Sequence, residues 1–303
     1  MAEHVSVLKA EVLQAFQGCS GRLFDGTFGG GGHTEALLER NPSLSIIAVD
    51  VDPEAAVRAE RVKQRFPDRF QFFSMNFSEI EKLHQAFDGI LLDLGVSSFQ
   101  LETASRGFSF REEGALDMRM NPAIGISART FLQQATPEAL TQAIRDYGEE
   151  PQWRSIVRSI VQYREKEFWE TTVDFTAFLE RYTPILRSKK PGLHFATRVF
   201  QGLRIAVNDE LGHLERGLKA AFETLRTKGV FAVIAFHSLE DRIVKQHFYA
   251  WCGRSLNRED AQPKQWKSVR AELLTRKPIR ATEEEIANNP RSRSAKLRIL
   301  RKL

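Results

Sequence analysis

The sequence predicts an α/β fold in which a mostly parallel sheet is interrupted by an inserted all-helical domain. Strand and helix signals alternate over the first third of the chain. From about Gly114 onward only helical periodicity is visible, and strand–helix alternation then resumes. Alternation of this kind indicates parallel strands with helices on both faces. We therefore predict sheet segments at 1–113 and 205–303 and a helical insertion at 114–204.

The first sheet segment contains short apolar runs that are separated by helix signals. Pro53 suits the first turn of a helix, and β-branched residues fill the run that precedes it. The predicted strands are 22–25, 45–50, 70–73 and 88–93, and the predicted helices between them are 34–40 and 54–66.

Two apolar faces at helical spacing characterise the insertion, and no strand signal of comparable strength interrupts them. A long helix at 207–222 and an apolar strand at 229–236 follow. The apolar faces consist of Trp153, Ile156, Val157, Ile160 and Val161, and of Phe175, Phe178, Leu179 and Tyr182.

The composition is that of a globular protein: 42% of the 303 residues are hydrophobic and 27% are charged. The cysteines, Cys19 and Cys252, lack the spacing of a disulfide framework or a zinc site, so we predict no metal. The N-terminal residues do not resemble a signal peptide, and no apolar run approaches the ~20 residues of a membrane span. We expect a soluble, cytoplasmic protein that does not enter a membrane.

Positive charge is concentrated near the C-terminus of a chain whose formal net charge is +5. Clustered cations attract a phosphate backbone, which favours a nucleic-acid partner. A solvated tail is the alternative. The cations are Lys267, Arg270, Arg276, Lys277, Arg280, Arg291, Arg293, Lys296, Arg298, Arg301 and Lys302, and the acids among them are Glu272 and Glu283 to Glu285.

A glycine-rich turn lies between the first strand and the first helix, in the run Asp25-Gly-Thr-Phe-Gly-Gly-Gly-Gly-His33. Backbone N–H groups approach a ligand closely in such a turn, and Asp50 after the next strand suits ribose hydroxyls. By itself this pattern fits NAD or a flavin, S-adenosylmethionine (SAM), or a plain structural turn. Asp25 favours SAM, because it would repel a pyrophosphate and attract an ammonium group. Asp93 also favours SAM, since it ends a strand at the ligand-binding edge.

Three further side chains have both a functional and a structural interpretation. His33 is either a cofactor contact or a polar helix cap, and Phe77 either stacks near the adenine or belongs to the core. His237 follows a strand and is a weaker candidate for positioning a substrate base. Ser238 and Asp241 have the spacing of a capping box, so a structural helix start is favoured there.

Several longer motifs resemble the ribosomal RNA small subunit methyltransferase H family, which is also called MraW. They run nearly from end to end of the chain in the order of that family. The matching segments are 88–98 (DGILLDLGVSS), 106–110 (RGFSF), 116–120 (LDMRM), 147–150 (YGEE), 200–211 (FQGLRIAVNDEL), 236–245 (FHSLEDRIVK) and 289–298 (NPRSRSAKLR).

The resemblance implies a Rossmann-like, SAM-dependent methyltransferase sheet with an inserted helical domain that recognises RNA. It implies methylation of the exocyclic N4 of a cytidine in the decoding region of 16S ribosomal RNA, with the RNA or the small ribosomal subunit as partner. The cofactor-binding residues that it implies are Gly31, Gly32, His33, Asp50, Phe77, Asp93 and Gln100.

This sequence departs from the family pattern in a few places. Phe99 replaces a common proline beside Gln100, Glu102 lies near a usual aspartate, and Ala115 replaces another proline. The stretch 251–267 is short for the family. The loop changes bear on the pose of Gln100, and the short stretch bears on RNA contacts.

Asp93 is our candidate catalytic residue, because a hydrogen-bond acceptor near a cytosine amino group eases its deprotonation. The alternative is that Asp93 only orients SAM. A DNA amino methyltransferase is a second reading, although its usual Asn/Asp-Pro-Pro-aromatic tetrad is missing after Asp93. A NAD-dependent oxidoreductase leaves Asp25 unexplained, and a non-catalytic RNA-binding factor has no use for a complete cofactor site.

Overall fold

The computed structural model describes residues 6–183, 194, 196–256 and 268–303. Among them, seven strands form a single sheet. They are β1 (Gly21–Asp25), β2 (Leu44–Asp50), β3 (Phe70–Ser74), β4 (Phe87–Asp93), β5 (Leu225–Ala235), β6 (Ala271–Leu273) and β7 (Lys296–Lys302). The strand order is β3-β2-β1-β4-β5-β7-β6. The predicted α/β fold with a Rossmann-like sheet is confirmed.

The α-helices of the described residues are numbered in chain order. They are α1 (Lys9–Ala15), α2 (Gly32–Arg40), α3 (Pro53–Arg65), α4 (Ser98–Glu102), α5 (Ala128–Gln134), α6 (Pro137–Thr141), α7 (Trp153–Tyr163), α8 (Thr172–Tyr182), α9 (Ala196–Asn208), α10 (Glu210–Thr224), α11 (Ser238–Trp251) and α12 (Glu283–Asn288).

Local sequence explains where several helices begin. The Asp52 side chain accepts a hydrogen bond from the Glu54 amide at 3.1 Å, and Pro53 occupies the first turn of α3. Thr171 and Asp174 form a reciprocal capping box at the start of α8. Such caps satisfy amides that the helix itself leaves without partners.

The contact pattern divides the chain into two compact units. The sheet unit comprises the described residues of Met1–Gly95 and Leu211–Leu303, and the helical unit comprises Val96–Glu210. The helical unit is wider than the predicted insertion of 114–204. Periodicity detects only the long helices of this unit, whereas Val96, Leu101, Phe108 and Leu116, which lie in irregular segments or in the short helix α4, also join its core.

The register of the sheet places three carboxylates on one face at one edge. Asp25 of β1 pairs with Ala48 of β2 and with Leu91 of β4, in parallel on both sides. Asp50 and Asp93 each lie two positions beyond those partners, so they share the face of Asp25. The parallel strands thus deliver three acids to one edge of the sheet.

Both faces of the sheet are covered. One face buries Leu23, Ala48 and Leu91 among residues of α1, α2 and α3. The other buries Phe24, Ile90 and residues of α10 and α11. Strands buried on both faces explain the continuous apolar runs of the sequence.

The C-terminal cations were expected on a basic segment, but part of that segment is strand β7, which lies between β5 and β6 and is antiparallel to both. Leu297 and Leu300 are fully buried, and Arg298 is only 7% exposed. The alternative of a solvated tail is wrong for these residues, because their apolar side chains complete the core on both faces.

In the helical unit, the core is built on Trp169, whose ring lies 4.6 Å from that of Phe178 and 5.5 Å from that of Phe175. Buried residues from the predicted faces of α7 and α8 pack in this core together with residues of α5 and α9. The predicted helix at 207–222 is interrupted, since Asp209 has a φ of 47° between α9 and α10. No helix in the described residues is long and apolar enough to cross a membrane.

Candidate cofactor and active site

Asp25 is the most deeply buried carboxylate at the ligand-binding edge of the sheet. One of its oxygens accepts a hydrogen bond from the Thr34 hydroxyl at 2.6 Å, and the other accepts from the Thr27 amide at 3.2 Å. Burial raises the pKa of Asp25 above its ordinary value, although these two hydrogen bonds oppose the shift. A cationic group placed nearby would restore the charged carboxylate.

The glycine-rich turn leaves little room for a side chain at two of its predicted binding residues. Gly31 has a φ of +82° at the N-cap of α2, and a Cβ there would lie 2.6 Å from the Phe28 ring. A Cβ on Gly32 would lie 2.2 Å from the Ser6 hydroxyl. At Gly31 a glycine is therefore needed for the fold of this turn, whether or not a ligand approaches it, whereas at Gly32 rotation of the Ser6 hydroxyl would relieve the contact.

Asp50 closes the glycine turn from the next strand. Its Oδ2 accepts a hydrogen bond from the Gly29 amide at 2.7 Å, and its Oδ1 accepts from the Asp52 amide at 2.9 Å. Burial raises the pKa of Asp50 to about 6, against the effect of both amides. Each carboxylate oxygen has a second lone pair, so two hydroxyl donors can still be accepted.

His33 and Asp93 form a close pair. The His33 Nε2 lies 3.6 Å from Asp93 Oδ2, and the His33 side chain is 8% exposed. Neither ring nitrogen of His33, nor Asp93 Oδ1, has a hydrogen-bond partner among the described residues. The Asp93 amide donates to the Thr27 hydroxyl at 2.6 Å. Buried polar atoms without partners are rare in folded proteins and indicate a place for a ligand or water.

The aromatic candidate, Phe77, follows β3 at the start of a 3-10 turn (Phe77–Leu83). Its ring packs against Gly217 of α10, where a Cβ would lie 2.4 Å from it. The side chain is half-buried, so a core role and an exposed stacking edge are both compatible with its place. Its contact with an adenine stays a prediction.

Gln100 belongs to the helical unit, whereas the other predicted cofactor residues belong to the sheet unit. The backbone amide of Gln100 donates to Ser97 Oγ at 3.2 Å, and the side-chain Oε1 of Gln100 accepts from the backbone amide of Ser97 at 2.9 Å. These two hydrogen bonds form a capping box for α4. The predicted contact of Gln100 with SAM stays a prediction.

His237 caps α11 in the sheet unit. Its Nδ1 accepts from the Glu240 amide at 3.5 Å, and Glu240 Oε2 accepts from the amides of Phe236 and His237. The capping box is therefore His237–Glu240, and the expected Ser238–Asp241 box is wrong by one residue. Asp241 instead pairs with Lys296 and Arg298.

Thr27 and Thr34 are two site residues that the sequence reasoning missed. Thr27 lies in the glycine run and Thr34 directly follows it. The Thr34 hydroxyl donates to the Asp25 carboxylate, and the Thr27 hydroxyl accepts from the backbone amide of Asp93. A threonine hydroxyl can donate and accept at once, so threonines beside buried acids were the available signal.

The residues of this edge fit SAM better than a dinucleotide. Ribose hydroxyls and an ammonium group are hydrogen-bond donors, and three carboxylates offer acceptors for them. A pyrophosphate at the same turn would be repelled by Asp25, Asp50 and Asp93. The unpartnered atoms of His33 and Asp93 leave further polar groups for a ligand to satisfy.

Comparison with known proteins gives the family. The model of the MraW methylase family matches residues 1–303. Proteins named Ribosomal RNA small subunit methyltransferase H are similar to this chain. That of Methylobacterium nodulans is 42% identical, over 98% of this chain and 90% of its own length. That of Thermomicrobium roseum is 44% identical, over 92% and 86%. That of Heliobacterium mobile is 42% identical, over 99% of each. The motif-based resemblance is thus confirmed, and the chain belongs to the MraW methylase family.

Proposed function

We propose that this chain transfers the methyl group of SAM to the exocyclic N4 of a cytidine in the decoding region of 16S ribosomal RNA. The observation that carries the proposal is the identity of 42–44%, over at least 92% of the chain, to proteins named Ribosomal RNA small subunit methyltransferase H. The choice of N4 as the methylated atom and of the decoding region as its location rests on the family resemblance. We assign the reaction to the cytoplasm, with either free rRNA or the small subunit as substrate.

The sheet unit would hold the cofactor through its three acids. Asp50 suits the two ribose hydroxyls, and Asp25 suits the methionine ammonium group, because both carboxylates are buried and need donors. Bound SAM supplies a methyl group on a sulfonium leaving group. The backbone of Gly31, Gly32 and His33, together with Phe77, completes the proposed cofactor site, and a contact of Gln100 with SAM remains an expectation of the family resemblance.

Asp93 is the proposed acceptor for a proton of the cytosine amino group. Its Oδ1 is buried and lacks a partner in the described residues, which leaves it available to a donor. If Asp93 only orients SAM, Asp93→Asn should weaken SAM binding and leave the single-turnover rate unchanged. We expect instead a loss of about 100-fold or more in that rate at saturating SAM.

RNA contacts are proposed on exposed cations. Arg106 is buried and donates to the carbonyls of Arg119 and Met120, and Arg119 pairs with Asp117, so neither is free for RNA. Arg154 and Arg158 are exposed one turn apart on α7. We propose these two as phosphate contacts.

A second set of exposed cations lies in the C-terminal segment. Arg270, Lys296, Arg298 and Arg301 form ion pairs. Other cations of this segment are exposed and have no ion pair within the described residues, and we propose them as further phosphate contacts. These are Arg276, Lys277, Arg280 and Arg293.

The proposed function is tested by mapping N4-methylcytidine in small-subunit rRNA from cells with and without this protein. Purified protein and SAM are then added to unmethylated 16S rRNA, to unmethylated subunits and to duplex DNA. We expect one decoding-region cytidine to be modified in at least one of the two ribosomal substrates. If only the duplex DNA is methylated, the alternative of a DNA amino methyltransferase is supported. If the protein binds NAD in the absence of SAM, the alternative of a NAD-dependent oxidoreductase is supported.

A further inference from the structure

The imidazole ring of His33 is buried at the start of α2 and makes no hydrogen bond among the described residues. His33 is the second residue of this nine-residue helix and is 7% exposed. Both ring nitrogens lack partners. A buried polar group without a hydrogen-bond partner is unfavourable, so the unpartnered ring of His33 requires an explanation.

The two acids near His33 differ in their capacity to accept a hydrogen bond from its ring. Asp25 interacts electrostatically with both His33 and Asp93, so the three groups lie close together. The Asp25 oxygens already accept from Thr34 and Thr27. Asp93 is the acid in ion-pair range of the imidazole, with Oδ2 at 3.6 Å from Nε2.

The Asp93 carboxylate is itself held by no hydrogen bond in the described part of the chain. Its backbone is fixed by β4 and by the hydrogen bond to Thr27, so rotation of the side chain is the freedom that remains. A carboxylate that must receive a proton from one particular nitrogen requires a fixed orientation.

We propose that His33 is a positioning residue for Asp93, donating its Nε2–H to Asp93 Oδ2 so that Oδ1 faces the amino group of the substrate base. This inference rests on the proposed function. The gap from 3.6 Å to a hydrogen bond is under 1 Å, and catalytic hydrogen bonds commonly shorten when the ligands bind.

The protons and electron pairs balance in this arrangement. The lone pair of the cytosine N4 forms the N–CH3 bond while the S–CH3 bond breaks and its electron pair stays on sulfur. The positively charged nitrogen loses one proton to Asp93 Oδ1. Asp93 has a side chain that is 25% exposed, so it can pass this proton to water after the reaction. A neutral imidazole orients the carboxylate without removing its negative charge.

The test compares His33→Ala, which removes the donor, with His33→Gln, whose side-chain amide can place an N–H near the position of Nε2. The exposed residue His84 has a φ of 49°, which asparagine tolerates, so His84→Asn is the matched control. Melting temperature, affinity for S-adenosylhomocysteine, single-turnover rate with rRNA and the pH dependence of that rate are measured for each.

We expect His33→Ala to lower the single-turnover rate about 10- to 100-fold and to change S-adenosylhomocysteine affinity less than threefold. His33→Gln should recover at least a third of the loss on a logarithmic scale. The acid limb of the pH profile should move upward in His33→Ala, because losing a hydrogen-bond donor disfavours the charged carboxylate. The control variant should match the unmodified protein.

Three results would overturn the inference. They are an unchanged rate in His33→Ala, a rate loss matched by a loss of cofactor affinity, and equal losses in both variants with an unmoved pH limb. Nitrogen NMR of the His33 ring with S-adenosylhomocysteine gives a readout independent of rRNA. We expect the Nε2–H form in the unmodified protein and a different tautomer balance in Asp93→Asn. If the unmodified protein methylates no rRNA, the proposed function fails, and this spectrum alone decides the contact.

Discussion

At the scale of single residues, Asp50 shows burial and hydrogen bonding in opposition. Two amides donate to it, yet burial raises its pKa to about 6. The folded chain therefore holds this proton more tightly than the unfolded chain does. By linkage, the contribution of Asp50 to the free energy of unfolding falls as pH rises from about 4 to about 6 and is constant above that range.

The titration of Asp50 predicts a pH-dependent cofactor affinity. An ionised carboxylate accepts hydrogen bonds from ribose hydroxyls better than a protonated one does. We expect S-adenosylhomocysteine to bind several-fold more tightly at pH 7.5 than at pH 5, with a midpoint near 6. Calorimetry across this range measures the affinity. The dependence should flatten in Asp50→Asn, and an equal slope in that variant would assign it to another group.

Gly31 gives a stability prediction, because its positive φ and the nearby Phe28 ring both oppose a side chain. Gly31→Ala should lower the free energy of unfolding by about 2 kcal/mol or more in urea titrations. Gly18→Ala is the control, since a Cβ there meets nothing within 4 Å, and it should change stability by less than about 0.5 kcal/mol. Equal effects of the two substitutions would contradict this account.

Strand-end acids could be predicted from the sequence, because each follows a recognisable apolar run and parallel strands end at one edge. The structure brings Asp25, Asp50 and Asp93 to one face there. The position of Thr27 and Thr34 beside the acids is visible in the sequence, but their hydrogen-bond partners depend on side-chain rotamers and could not be predicted. The His237–Glu240 cap was missed because its spacing is the same as that of Ser238–Asp241, one residue along.

At the scale of elements, β7 is the strand of the sheet that the sequence analysis did not predict. Its alternation of cations with leucine and isoleucine was hidden by the high charge of the segment. Arg298 is nearly buried there, and Asp241 of α11 pairs with both Arg298 and Lys296 at 2.7 and 3.1 Å. Burial opposes ionisation of Asp241, but these hydrogen bonds outweigh it and lower its pKa.

Breaking this pair should destabilise the protein. Asp241→Asn leaves the Arg298 charge without its partner, so we expect a loss of about 2 kcal/mol at pH 7 in urea unfolding. Because the pKa of Asp241 is lowered by folding, its stabilisation is present at neutral pH and is lost below about pH 4. Glu272→Gln, which breaks the exposed pair with Arg301, should cost under about 1 kcal/mol. An Asp241→Asn effect no larger than this control would show that the β7 pair contributes little.

At the scale of the whole molecule, the alternation of strands and helices was sufficient to predict the α/β class. The limits of the helical unit could not be predicted from periodicity, because irregular segments such as 104–116 have no repeating pattern of apolar residues. The break at Asp209 was also missed, since apolar spacing continues across it. A left-handed residue inside a helical pattern leaves no signal in hydrophobic spacing.

The exposed C-terminal cations predict a change in the salt dependence of RNA binding. Replacing Arg276, Lys277, Arg280 and Arg293 by glutamine should reduce the slope of log affinity against log salt by about 2–4, because each phosphate contact contributes about 0.7–0.9. Filter binding with 16S rRNA fragments measures the slope. The control replaces Arg40 and Lys63, which are exposed and without ion pairs in the described residues, and should leave the slope within about 0.5.

The pairing of β4 with β5 has a consequence for how quickly the chain reaches its native state. Gly89 pairs with Val230, so about 140 residues must be enclosed before this central ladder forms, at an entropic cost that grows with the length of the loop. Most of these residues belong to the helical unit. If that unit collapses first, it shortens the effective loop, and the search for the correct register becomes faster. Formation of the strand pairing beside Asp93 would then depend on the earlier folding of helices such as α7 and α8, which lie 60 or more residues further along the chain.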